Sequence, residues 1–267
     1  MLTFPNAKIN LGLRVIERRP DGFHNIETVF YPVALCDALD VAEAADFEFN
    51  ISGLPVAGSS DDNLVVKAYR LLSGVFDLPP VHIHLHKIIP PESGLGGGSS
   101  DGAFMLKTLN TLFKLGLEIR QLESYAASLG ADCPFFIRNT PSLASGTGNI
   151  LTPVDTSLGG LKILLVKPPF SVNTAKAYQS VKPSPPLQPL DKLIMLPVNE
   201  WAGILLNDFE KPVSEIYPEI NTIKEVLYSK GALYASMSGS GSSVYGIFSS
   251  LPADQGLPFP ESYFIYR

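Results

Sequence analysis

Pro90-Pro91-Glu92-Ser93-Gly94-Leu95-Gly96-Gly97-Gly98-Ser99-Ser100-Asp101 marks the place where one side-chain pattern ends and another begins. Upstream, Val81, Ile83 and Leu85 alternate with His82, His84 and His86, the period of a strand. Downstream, Ala103, Phe104, Leu106, Leu109, Leu112 and Phe113 recur at helical spacing. A strand therefore passes into a helix through a glycine-rich turn. Glycine has no Cβ, so its backbone can come close to an anion, and the unpaired N–H groups and dipole of a helix start favour negative charge there. The stretch reads as a phosphate cradle. It is neither of the common nucleotide fingerprints: no Lys follows the glycines as in a P-loop, and the three-glycine dinucleotide spacing is missing. Protein-kinase signatures are missing too. A flexible Gly/Ser loop is the plain alternative, but such loops seldom join a strand to a strongly amphipathic helix.

Working outward, Ala7 to Val15 alternates, with Ala7, Ile9, Leu11, Leu13 and Val15 on one side and Lys8, Asn10, Gly12 and Arg14 on the other. This predicts a half-buried strand. Arg19-Pro20-Asp21-Gly22 is a turn signal before an extended stretch from Phe23 to Leu35, so the first two long strands form a hairpin. A strand pair is expected around Ala38–Ile51, and Asp61-Asp62-Asn63 offers a helix cap before Leu64, Val65, Ala68, Leu71 and Leu72. A short helix is predicted around Leu122–Leu129. Gly, Asn, Pro, Asp and Ser crowd the stretch from Thr147 to Gly160, which we take as the domain junction, with domains at 1–155 and 156–267. Beyond it come a strand at Leu161–Val166, helical patterns at Thr174–Val181 and Trp201–Leu206, and an amphipathic helix through Ile216, Ile220, Ile223, Val226 and Leu227. Strands at Leu233–Met237 and Val244–Phe248 complete the pattern, and the Pro-rich Lys182–Leu190 reads as a surface loop. Interspersed elements with tight hairpin signals favour α+β over a doubly wound parallel sheet.

Composition sets the outer limits. The chain has 267 residues, 45% hydrophobic and 17% charged, which suits a globular protein of one large or two medium domains. A net charge of -6 speaks against general affinity for nucleic acid or anionic membrane, so any phosphate site must be local. Cys36 and Cys133 are too few for a disulfide framework or zinc cluster and fit a reducing compartment. The first residues lack a basic segment followed by an apolar core, and no apolar run approaches the roughly 20 residues that span a bilayer. A soluble, cytoplasmic protein is the expectation. No pattern here speaks to oligomeric state.

The central stretch, together with Ala7-Lys8-Ile9-Asn10-Leu11 near the start and Ser238-Gly239-Ser240-Gly241-Ser242 near the end, resembles the three ordered motifs of the GHMP kinases. The resemblance runs over nearly the whole chain. It implies an N-terminal α+β catalytic domain, a C-terminal ferredoxin-like α/β sandwich, a cleft between them, and transfer of the γ-phosphate of ATP to an alcohol. Arg19-Pro20-Asp21-Gly22-Phe23-His24 and Leu129-Gly130-Ala131-Asp132-Cys133-Pro134-Phe135-Phe136 narrow the likeness to a branch acting on a cytidine-diphosphate-linked methylerythritol of the non-mevalonate isoprenoid route. Glu92-Ser93, where glycines are often seen, and Cys133, where a small aliphatic residue is commoner, depart from that branch; Glu92 could alter the charge of the cradle.

The resemblance also assigns roles. Asp132 is implied as catalytic base and Lys8 as its partner, types that suit phosphoryl transfer: a carboxylate accepts the hydroxyl proton and an ammonium keeps it ionised. By periodicity alone, Lys8 reads as a solvated strand charge and Asp132 as a turn or helix-end carboxylate. Asn63, Leu64 and Lys87 are implied on the adenine side, with Pro90, Pro91, Glu92, Ser93, Gly94, Leu95, Gly96, Gly97, Gly98, Ser99 and Ser100 around the phosphates. Asn10, Phe23, His24, Thr174, Tyr178, Gly239, Ser240 and Gly241 are implied toward the substrate, Thr174 and Tyr178 lying four apart on one helix face. His24 as a turn residue and Gly239–Ser243 as an ordinary hairpin are the plain alternatives. His82, His84 and His86 share a strand face that more readily suits a semi-exposed sheet surface than a metal site. Magnesium is expected with ATP, bridging its phosphates, with Ser100 the one side chain offered toward it. Two rivals remain at this stage: a relative acting on a sugar, homoserine or mevalonate, and a catalytically silent binding protein, against which the presence of both Lys8 and Asp132 speaks.

Overall fold

A computed structural model describes residues 1–156, 158–186, 188–253 and 257–267. Its contacts divide into two compact units that interleave along the chain: Met1–Lys8, Pro32–Pro91 and Gly96–Thr140 in the first, and Ile9–Tyr31, Glu92–Leu95 and Pro141–Arg267 in the second. The expected junction between 155 and 156 lies inside the second unit, and the crowded stretch before it carries a strand.

The first unit holds a sheet in the order β1–β4–β6–β5, formed by β1 (Leu2–Thr3), β4 (Ala38–Glu43), β5 (Glu48–Gly53) and β6 (Val81–Lys87). The two strands expected around Ala38–Ile51 both form, but they do not pair with each other. β6 lies between them, antiparallel to β4 and parallel to β5. The chain between β5 and β6 contains α1 (Leu64–Phe76), and a parallel connection needs such a crossover. Asn63 caps α1 as expected, its side chain accepting from the Val65 N–H at 2.9 Å. The apolar residues of β6 are buried, and so are Val65, Val66, Ala68 and Leu72 of α1 and Ala103, Met105, Leu106 and Leu109 of α2 (Gly97–Leu112). Each such fully buried Leu contributes about 1.5–3 kcal/mol. Two further helices join this unit, α3 (Ile119–Leu129) and α4 (Cys133–Arg138). The sequence pattern missed α4, which is too short for helical periodicity to register.

A second sheet has the order β2–β3–β7–β8, with β2 (Asn6–Arg18), β3 (His24–Cys36), β7 (Ser142–Ser145) and β8 (Ile150–Pro153). The expected hairpin of β2 and β3 is present. β2 is buried on both faces from Asn6 to Leu13, so the half-buried reading needs correction: Lys8 and Asn10 are 4% and 2% exposed.

The remaining sheet of the second unit, β10–β11–β9–β12, is antiparallel throughout and formed by β9 (Lys162–Lys167), β10 (Tyr234–Met237), β11 (Val244–Phe248) and β12 (Phe264–Tyr266). Leu164, Val166, Ala235, Met237 and Val244 share one core with Val213 of α7 (Glu210–Ile216) and with Ile220, Ile223 and Leu227 of α8 (Glu219–Ser229). This is the two-layer α/β arrangement expected of the C-terminal part. The helix expected from Ile216 through Leu227 is in fact two. Pro218 lacks an N–H to continue a helical ladder, the chain breaks at Tyr217-Pro218, and Ile216 is left 64% exposed. Trp201–Leu206 is a run of turns instead of a helix. Gly203 at φ +81 leaves the helical region, and Leu206 O then accepts from Leu13 N at 2.9 Å. Trp201 and Leu205 are buried regardless, which is what the apolar spacing reported. α5 (Thr174–Ser180) and the short α6 (Leu190–Leu193) flank the Pro-rich loop, of which Leu187 lies outside the described residues.

Candidate active site

In the first unit, Lys8 Nζ lies 3.4 Å from Asp132 Oδ2. The lysine side chain is 5% exposed and the aspartate 34%, so the cation is withdrawn while the carboxylate reaches solvent. Lys8 is thus no solvated strand charge. Asp132 occupies the cap position of α4 yet makes no side-chain capping hydrogen bond, which leaves its carboxylate facing Lys8. Cys133 beside it is fully buried, and burial pushes its thiol up to about 12, so it is a packing residue and no nucleophile.

The start of α2 abuts this pair. Gly96 caps the helix at φ +71, a conformation L side chains rarely adopt, and a Cβ there would meet Phe136 Cζ at 3.0 Å and Lys8 Cε at 3.1 Å. No side chain caps α2, so its leading N–H groups, at Gly97, Gly98 and Ser99, are the anion-seeking ones. Leu64 packs on the same helix: a Cβ on Gly102 would sit 3.0 Å from Leu64 Cβ, so the small residue lets α1 and α2 close up and brings Asn63 and Leu64 toward the α2 start.

Lys87, implied on the adenine side, is placed below this surface. Its ammonium donates to Asp37 and, at 2.6 Å, to Asp101 Oδ2; the three side chains are 4%, 0% and 3% exposed. Asp37 Oδ1 also accepts from Ile88 N and from Ile89 N at 2.8 Å. The ammonium therefore ties the end of β6 to the first turns of α2. Burial pushes the Asp101 carboxyl up to about 8 against the opposing pull of Lys87, while the two carboxylates outweigh burial at Lys87 and raise it. Asp101 Oδ1 and the neighbouring Ser100 Oγ are buried without a hydrogen-bond partner. Ser100 thus shows no hydroxyl to solvent. Asp37 and Asp101 were not found by sequence reasoning, because nothing in their spacing announces that they share a cation 50 and 14 residues away.

In the second unit, His24 stacks on Tyr178 with ring centroids 4.9 Å apart and planes 20° from parallel. Phe209 supports Tyr178 edge-on at 4.8 Å. Phe23, next in the turn, is 66% exposed. Thr174 Oγ1 lies 2.9 Å from Ser240 Oγ, so the start of α5 meets the glycine-rich loop between β10 and β11. Asn10 is held by its side chain, which donates to Thr28 Oγ1 at 2.9 Å. Of the 90–95 stretch, Glu92 takes φ +50 and raises the ammonium of Lys167, though burial still holds that group below its usual range. The second unit thus brings Asn10 and Gly94 together on Ser238, Thr174 against Ser240 and Ser93 against Ser243, while His24 and Tyr178 form a separate stack backed by Phe209. Phe209, which supports Tyr178, was missed, since a lone aromatic between Asp208 and Glu210 makes no pattern in the sequence.

His82, His84 and His86 line an exposed face of β6. His84 Nε2 and His86 Nδ1 lie 2.8 and 2.9 Å from Ser52 Oγ, and His82 lies 3.5 Å from Glu48. Among the described residues, no group of three His, Cys, Asp or Glu side chains is arranged to hold a metal ion. No helix among them is long and apolar enough to cross a membrane.

Comparison with known proteins identifies the family. The family described as GHMP kinases N terminal domain matches residues 63–140, and GHMP kinases C terminal matches 195–257. The chain is 57% identical over 252 residues to 4-diphosphocytidyl-2-C-methyl-D-erythritol kinase of Bacteroides thetaiotaomicron, covering 93% of this chain and 92% of the relative. Identity to the protein of the same name in Porphyromonas gingivalis is 47% over 256 residues, covering 94% and 93%. A crystal structure of 4-(cytidine 5'-diphospho)-2C-methyl-D-erythritol kinase superposes with a TM-score of 0.80 at 31% identity, over 92% of this chain and 90% of that one. With the α+β fold, the uncapped glycine-rich helix start and the Lys8–Asp132 pair in place, the chain belongs to the GHMP kinases, in the family of the 4-diphosphocytidyl-2-C-methyl-D-erythritol kinases.

Proposed function

We propose that this chain transfers the γ-phosphate of ATP to the 2-hydroxyl of 4-diphosphocytidyl-2-C-methyl-D-erythritol, a step of non-mevalonate isoprenoid precursor synthesis. The carrying observation is the Lys8–Asp132 pair at 3.4 Å, with Gly96 packed against the lysine stem at the open start of α2. It is joined to the 57% identity with a relative of that name. Phosphoryl transfer asks a protein mainly to position groups and stabilise charge. Asp132 takes the proton of the attacking hydroxyl, and Lys8, 3.4 Å away, orients that carboxylate and adds positive charge where the phosphoryl group arrives. The N–H groups of Gly97, Gly98 and Ser99 hold phosphate oxygens, and Asn63 and Leu64 border the nucleotide. Lys87 acts from beneath by fixing α2.

In the second unit, His24 and Tyr178 present flat rings for stacking a cytosine, while Phe23, Asn10, Thr174 and the Gly239–Gly241 loop address the rest of the substrate. Magnesium would come with the nucleotide and supply positive charge to its phosphates. Ser100, with its hydroxyl buried, does not fit as a ligand of that ion. We place the boundary between the two family domains near 155, which fits matches at 63–140 and 195–257 on either side of it, and the activity in the cytoplasm, which fits two free cysteines.

The test is ADP release with magnesium-ATP and the cytidine-diphosphate-linked alcohol, beside mevalonate, homoserine and galactose. Turnover with the first alone is expected. A folded, ATP-binding protein that turns over one of the others and ignores the first overturns the substrate.

A further inference from the structure

The outer face of β6 carries three imidazoles, and we propose that two of them, His84 and His86, form beside Ser52 a surface site for a borderline divalent transition-metal ion such as Zn2+, Ni2+ or Cu2+. His82, His84 and His86 alternate with buried Val81, Ile83 and Leu85, so the three rings stand exposed on one side of the strand. Alternation puts them on one face but does not say where their nitrogens point. The neighbouring strand decides that. β5 runs parallel to β6, with Asn50 in register with His84 and Ser52 with His86. His84 Nε2 lies 2.8 Å, and His86 Nδ1 2.9 Å, from the single Ser52 Oγ. A hydroxyl has one proton, so it donates to one ring and accepts from the other. Two ring nitrogens thus converge on one exposed point, wholly within the first unit.

Zinc binds an imidazole nitrogen at about 2.0–2.1 Å, so an ion taking the place of the hydroxyl needs each ring to close by less than about 1 Å. Side-chain torsions on an exposed strand face supply such a shift. Nitrogen donors select metals of this class over Mg2+ and Ca2+, which take oxygen, and the remaining coordination positions face water. The site is a two-histidine one, in keeping with the lack of a three-ligand group among the described residues. His82 stands apart from it. Its Nε2 lies 3.5 Å from Glu48 Oε2, and Glu48 also accepts from Asn50 Nδ2 at 2.8 Å. On the other side of β6, Asp40 is in register with His84 and pairs with the Met1 ammonium at 3.1 Å. Both carboxylates are thus engaged elsewhere, and His84 and His86 share Ser52. The proposal stands independently of the kinase reading and of the magnesium that accompanies a nucleotide.

The test is calorimetric titration of Zn2+ into the tag-free, nucleotide-free wild-type chain and into His84→Ala, His86→Ala and His82→Ala, with Mg2+ in excess throughout. One ion per wild-type chain is expected. Affinity should be at least about tenfold weaker in His84→Ala and in His86→Ala, a loss that even the partners of metal ligands bring, and within about twofold of wild type in His82→Ala. Binding should fade as pH falls through about 6.5, because a protonated ring has no lone pair to give. On the wild type alone, Cu2+ should show electron paramagnetic resonance splitting from two imidazole nitrogens, which decides the matter should a variant fold poorly. Three results overturn the proposal: no Zn2+ binding to the wild type, unchanged affinity in either His84→Ala or His86→Ala, or an equal loss in His82→Ala, the mark of a row of imidazoles gathering metal without a defined site. A Cu2+ spectrum lacking two nitrogens does the same.

Discussion

Replacing Lys87 by methionine tests how the start of α2 is held. The wild-type ammonium is shared by Asp37 and Asp101, and all three side chains are at most 4% exposed. Removing the cation leaves two carboxyl groups facing each other out of reach of water, a change that costs about 3–5 kcal/mol when one partner of a buried ionic cluster is lost. At about 2–4 °C per kcal/mol for a chain of this size, the midpoint of thermal unfolding should fall by roughly 10 °C. The loss should also depend on pH in a fixed direction. Burial raises Asp101 to about 8, well above an unfolded carboxylate near 3.9, so its protonated form supports the fold at low pH and that support is lost as pH climbs toward 8. Without Lys87 nothing balances the carboxylate once it ionises. The variant should therefore lag the wild type more at pH 9 than at pH 6, read by circular dichroism melts in both buffers. A drop below about 2 °C, or an equal drop at both pH values, would refute the cluster as a stabilising clamp on α2.

Four other outcomes are expected. Asp132→Asn should lower kcat by about 10²–10⁴-fold with affinity for a non-hydrolysable ATP analogue retained, and near-normal turnover would remove the base assignment. Gly96→Ala forces a side chain into φ +71 against Phe136 and Lys8, so it should lose about 1–2 kcal/mol of stability in denaturant titration together with most turnover; an active, stable variant would argue against the close approach to Lys8. Tyr178→Ala removes the ring stacked on His24 and should raise KM for the cytidine-linked alcohol up to about tenfold, with KM for ATP unmoved, and equal effects on both would disconnect the stack from the base. Cys133, fully buried with its thiol pushed up to about 12, should resist iodoacetamide at pH 8 until denaturant is added, as read by mass spectrometry; rapid labelling of the native chain would contradict that burial.

Much of this molecule can be read along the chain, and the places where reading failed share a cause. Local signals carried far: the Asn63 cap, the strand of alternating His and apolar residues, the glycine turn before α2 and the stripe of Ile220, Ile223 and Leu227 all stand where their spacing put them. Failures came where a neighbour distant in sequence decided the outcome. Trp201 and Leu205 are spaced like a helix face, but Gly203 and the bond from Leu13 N to Leu206 O draw the segment toward β2. Alternation in β2 promised one wet face, and packing on both sides buried Lys8 and Asn10 instead.

The sequence by itself determined where most helices and strands lie and that the turn before α2 needs glycine, because those depend on residue type and on spacings of a few residues; the partnership of Lys8 and Asp132 was implied only by family resemblance. Tertiary structure alone decided that β6 separates β4 from β5, that Lys87 serves two buried carboxylates, and that Ser238 takes Asn10 and Gly94 as partners. Such pairings join residues up to 228 positions apart. A hydrogen bond or ion pair depends on distance in space, and no local propensity encodes which distant group will satisfy a buried donor or charge.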